Sequence, residues 1–93
     1  GLRGAVLGDF TCGTSQSTGS GVITAVQDGT ITIRNSNGEE TVLYLGGCTK
    51  LSATRPNYQI AVGDRITYQE ANSAPVVQSS KRVVNVSAVT CQA

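Results

Sequence analysis

Cys12, Cys48 and Cys91 are the residues best suited to covalent chemistry in this 93-residue chain. Any one of them can pair with either of the others, and one thiol is then left over. No CxxC or Cys/His spacing is present, so a zinc centre is not expected. The chain has no histidine, which removes the usual base for a serine or cysteine nucleophile and the commonest metal ligand. Glu39 and Glu40 are adjacent, so on a strand they point to opposite faces and cannot form a glycosidase-like acid pair. Asp28 and Asp64 sit beside glycines and read as turn formers. Gly46-Gly47 lacks the lysine and helix of a phosphate loop. These residues predict a protein that is not an enzyme and that uses no cofactor or metal.

Two other features bear on ligands or modification. Asn85-Val86-Ser87 matches the N-glycosylation acceptor pattern. In the alternating run 83–89, Val84, Val86 and Ala88 share one face and Asn85 and Ser87 the other, so the sequon is expected to face solvent, where a glycan has room. Tyr44, Tyr58 and Tyr68 are the aromatic residues available to stack on a ligand, although Tyr44 and Tyr68 also suit a core.

The elements that must position these residues are strands. Val22 to Gln27 and Thr30 to Arg34 flank Asp28-Gly29, a strong hairpin signal because a type I′ turn needs positive φ. Ile31 and Ile33 are expected inside, with Thr30, Thr32 and Arg34 outside. Asn35-Ser36-Asn37-Gly38 is turn chemistry and leads into a third strand over 40–45. Gly46-Gly47 breaks it, with Cys48 to Leu51 continuing after a bend or bulge. Residues 52–59 read as a loop, 65–69 as a fourth strand, and 76–78 with 83–89 complete the sheet. No helical apolar period is present, and no apolar run approaches the ~18 residues of a membrane span.

One Phe, no Trp and no Met make a thin core, and a chain this short buries only about 60–65% of its unfolded surface. A covalent staple is therefore expected. Charged residues are 14% of the chain and the formal net charge is +1. That is well below the roughly 25% charged content of an average domain, and it offers no basic stripe for nucleic acid. The neutral-polar, β-branched composition, the cysteines and the sequon suit a secreted, extracellular or cell-surface protein. The absence of an initiating methionine is read the same way, as processing from a precursor.

The run 21–26, the Asp28-Gly29 turn, Thr30-Ile31-Thr32-Ile33 and Val62-Gly63-Asp64-Arg65-Ile66 resemble small secreted OB-like barrel domains. Those domains carry a G-x-I-x-x-V hairpin followed by a V-G-D-x-I or V-G-D-x-V turn, and most have no assigned function. The resemblance spans residues 19–89 and leaves the cysteines outside it. It implies an all-β fold, a small five- to seven-stranded OB-like barrel or β-sandwich at 19–93. An extra N-terminal segment at 1–18 is docked, exchanged with a neighbour or linker-like. In an OB-like order the last strand lies parallel to the third, so their ends meet; on that basis the expected disulfide joins Cys48 to Cys91. Cys12 then remains as an intermolecular thiol or an unreactive one.

The leading functional expectation is a non-catalytic extracellular structural or assembly module, a matrix, surface or fibre subunit that associates with itself or a neighbouring protein. A β-barrel that binds glycans or another small ligand is the alternative. A single-stranded nucleic-acid-binding OB domain comes third, because the basic groove and aromatic platform are missing.

Overall fold

A computed structural model describes residues 12–13, 17–54, 59–71 and 82–91. They form five strands: β1 (Thr18–Gln27), β2 (Thr30–Arg34), β3 (Glu40–Ala53), β4 (Arg65–Glu70) and β5 (Arg82–Cys91). The strands close into a barrel in the order β1-β2-β3-β5-β4, with β1 bonded to both β2 and β4. β3 and β5 run parallel and every other pair is antiparallel. This is a small all-β barrel of five strands, the fold class that the sequence predicts. The expected strand at 76–78 lies outside the described residues.

The hairpin turns follow from local chemistry. Gly29 has φ 78° and closes β1 onto β2. Between β2 and β3 the Asn35 carboxamide oxygen accepts the N–H groups of Asn37 (2.9 Å) and Glu39 (3.0 Å), and Gly38 takes φ 83°. The Val62-Gly63 turn before β4 is tied to β1. The Gly63 N–H donates to the Ile23 carbonyl and the Ile23 N–H to the Asp64 carbonyl, both at 2.8 Å. Gly63 has φ 98°, and the Asp64 carboxylate accepts the Ala61 N–H at 3.0 Å. Asp64 is thus a turn former.

Period-2 alternation fills the barrel. Ile31 and Ile33 of β2 are buried against Leu43 and Leu45 of β3, Ile23 of β1 and Ile66 of β4. Each such aliphatic side chain contributes roughly 1.5–3 kcal/mol on burial. Tyr68 pairs with Gly19 and its ring lies over that glycine, in the space a Cβ would occupy.

Three irregularities change which residues face inward. Ile23 pairs with Ile33 but Ala25 with Thr32, so Thr24 is an extra residue in β1. Along β3, Leu45 pairs with Val86 and Lys50 with Ala88, so residues 46–49 make a detour against a single residue, Ser87. The Thr49 hydroxyl closes that detour by accepting the Gly46 N–H (2.8 Å) and donating to the Val86 carbonyl (2.7 Å). On the β4 side, Glu70 pairs with Val86 and Gln69 with Ala88, so Ser87 is again the odd residue. The inward series of β5 is consequently Val84, Val86, Val89 and Cys91. Ala88, expected on that face, is displaced from it.

Candidate functional site

A concave surface crosses the outside of β1, β2 and β3. It is an open groove of about 510 Å³, within the size range of small-ligand sites. Thr30, Thr32 and Arg34 form its β2 row, the outward half of the alternation that buries Ile31 and Ile33. The extra residue in β1 places Thr24 and Ala25 together on the groove wall, with Gln27 beyond them. The Thr24 hydroxyl reaches the Thr32 carbonyl at 3.4 Å. From β3 come Glu40 and Val42, opposite Arg34 and Thr32, while half-buried Tyr44 stands opposite Thr30.

The groove is rich in hydroxyls and nearly neutral. Its one ion pair joins Arg34 Nη2 to Glu40 Oε2 at 3.4 Å, with both side chains partly exposed. Such a pair adds about 0–1 kcal/mol to stability, so Arg34 can turn to a ligand at little cost. Glu39 instead accepts the Asn35 Nδ2–H at 3.3 Å. Among the described residues no cluster of three or more His, Cys, Asp or Glu could hold a metal ion.

The cysteines pair differently from the sequence expectation. Cys12 and Cys48 form the disulfide, with Cα atoms 5.9 Å apart, and Cys91 is a free, buried thiol. The reason lies in β3, which continues past the glycines to Ala53, so that Ala53 and not Cys48 stands opposite Cys91. Cys91 points into the core and is 0% exposed, whereas the 46–49 detour pushes Cys48 to the surface. Cys12 Sγ lies 3.9 Å from the Val86 carbonyl oxygen, beside that detour. Burial first, and the Asp64 carboxylate second, raise the Cys91 thiol to about 11, so it is protonated and unreactive near neutral pH. A disulfide is compatible with an extracellular location.

The other site residues divide. Asn85 lies on the face away from the core, level with Tyr44, but it is only 4% exposed. Alternation identified its face correctly; the expected exposure is wrong, because that face of β5 is covered and Val83 beside it is buried as well. Tyr68 is 7% exposed and part of the core cluster, so it is not a stacking platform. Tyr58 lies outside the described residues. Tyr44 is half-buried and stands opposite Thr30, one of the groove residues. No helix among the described residues is long and apolar enough to cross a membrane.

The chain matches no protein-family model, no curated protein and no solved structure. Its chemistry therefore has to be read from its own surface. Thr30, Thr32 and Arg34 were legible as outward-facing, but nothing in the linear sequence marks Thr24, Thr32 and Glu40 as neighbours. Their proximity follows from strand register.

Proposed function

We propose that the outer face of β1, β2 and β3 is a non-catalytic binding groove for an oligosaccharide in an extracellular setting. The observation that carries this reading is the groove's composition: hydroxyl, amide and a weak ion pair, with Tyr44 opposite Thr30 in the β2–β3 register. Hydroxyl and carboxamide groups that donate and accept match a polyhydroxylated ligand, and an aromatic ring provides an apolar flank for a sugar. Five-stranded OB barrels present ligands on this same face, a fold-level analogy that supports the location and leaves the ligand to the side chains.

The structural and assembly reading loses two of its supports. Cys12 is engaged within the chain, and the closed barrel offers no unpaired edge among its described strands. A nucleic-acid reading gains little, since Arg34, the arginine lining the β1–β3 part of the groove, faces a glutamate and no row of aromatic rings lies beside it among the described residues. Filling the groove tests the proposal. Thr32→Phe keeps a strand-favouring residue at a half-buried outward position and should abolish oligosaccharide binding while the melting transition is retained. Undiminished binding by a folded T32F variant would overturn it.

A further inference from the structure

Arg34 belongs to two clefts. Besides the groove across β1, β2 and β3, it lines a second cleft of about 280 Å³ together with Ser20, Val22, Ser36 and Arg65. Strand register explains this junction. Val22 pairs with Arg34 of β2 on one side and with Arg65 of β4 on the other. Ile23, Ile33 and Ile66, the next residues on each strand, all face the core, so Arg34, Val22 and Arg65 share the outer face. Two strand spacings separate the arginines, about 10 Å between Cα atoms. A small valine lies between them and leaves open space above it.

We propose that Arg34 and Arg65 form an anion subsite at the β4 end of the groove, and that the oligosaccharide bound there carries a uronate carboxylate or a sulfate ester. This rests on the reading of the groove as an oligosaccharide site. Guanidinium groups present a planar fork of donors suited to bidentate contact with either oxyanion. The serine hydroxyls of Ser20 and Ser36 complete a donor-rich wall. Charge is arranged to favour an incoming anion. Arg34 is held only by a long, partly exposed contact to Glu40, in which Arg65 takes no part. Two forks at one end of a neutral groove suit an isolated acidic substituent. A nucleic acid presents a continuous run of phosphates, for which a cationic track along the whole groove would be needed.

The test is affinity measured by calorimetry for three tetrasaccharide classes, neutral, uronate-bearing and sulfated, and for an oligothymidylate of similar length. The acidic sugars should bind at least tenfold more tightly than the neutral one. Arg65→Gln should reduce that preference about tenfold, the loss expected for one charged hydrogen bond, and Glu40→Gln should increase it by releasing Arg34. The uronate and sulfated arms identify which oxyanion is preferred. Equal affinity for neutral and acidic sugars, or an R65Q variant with unchanged preference, would overturn the anion subsite and leave the groove reading intact. Absence of binding to any sugar would overturn both. Tighter binding of the oligothymidylate would overturn both in favour of nucleic acid. Arg65 is exposed, so its replacement leaves the fold in place, which the melting transition checks.

Discussion

Ala53 stands directly opposite Cys91 in the parallel pairing of β3 with β5, while Cys48 lies further back on β3, in the detour held by the Thr49 hydroxyl. One thiol is thereby placed in the core and the other at the surface, within reach of Cys12. The disulfide spans 36 residues and contributes about 4 kcal/mol by constraining the unfolded chain. That contribution matters for a barrel whose interior is filled mainly by valine, isoleucine and leucine.

Peptide mapping under non-reducing conditions should recover the Cys12–Cys48 linkage. The native protein should expose no thiol to alkylation and should expose Cys91 once denatured. Replacing both bonded cysteines with serine should lower the unfolding free energy by about 4 kcal/mol. Recovery of a linkage between Cys48 and Cys91 would contradict the β3–β5 register.

Alkaline pH should destabilise the protein partly through Cys91. Its thiol ionises near 9.0 when unfolded and near 11 when folded. Between those values the unfolded chain has released a proton that the folded chain retains, so unfolding becomes easier as pH rises. The slope is at most about 1.4 kcal/mol per pH unit. Chemical denaturation from pH 8 to pH 11 should show a steeper loss of stability for the wild type than for Cys91→Ala. Parallel curves would contradict the buried, protonated thiol.

Gly63→Ala should cost about 1–2 kcal/mol, because φ 98° strains any residue with a Cβ. The change also loosens the pair of 2.8 Å bonds that hold the turn to Ile23. Nothing lies near the added carbon, so steric crowding does not enter. Thermal unfolding measures the effect, and an unchanged midpoint would contradict the latch between this turn and β1.

Asn85 should remain unmodified in the folded protein. The residue is 4% exposed, which leaves no space for a sugar on the folded barrel. Intact mass after expression in a glycosylating host should not change on deglycosylation. A glycosylated chain that retains the native melting transition would contradict the burial of this strand face.

Much of the fold could be read from local chemistry. Asp28-Gly29 and the Asn35 turn specified their hairpins, and the alternation of Ile31 and Ile33 with Thr30, Thr32 and Arg34 oriented β2 correctly. A bend or bulge after Gly46-Gly47 was expected, but its length, four residues opposite one, was not, and the offsets at Thr24 and Ser87 escaped. Threonine, serine and glycine are compatible with either face of a strand, so their types do not reveal where alternation slips. Each slip nevertheless moves every later side chain to the other face. The disulfide pairing and the inward series of β5 both depended on such a slip. The β2 row of the groove was legible from alternation, whereas the meeting of Arg34 with Arg65 across Val22 required the register of three strands.

Backbone amide chemical shifts, followed by two-dimensional NMR during titration with a uronate-bearing tetrasaccharide, test the binding groove most directly. The account predicts saturable shifts concentrated at residues 20–25, 30–36, 40–44 and 65, with the interior of β5 unmoved. Shifts confined to the opposite side of the barrel, around Gln69 and Thr90, or no shifts at millimolar ligand, would contradict it.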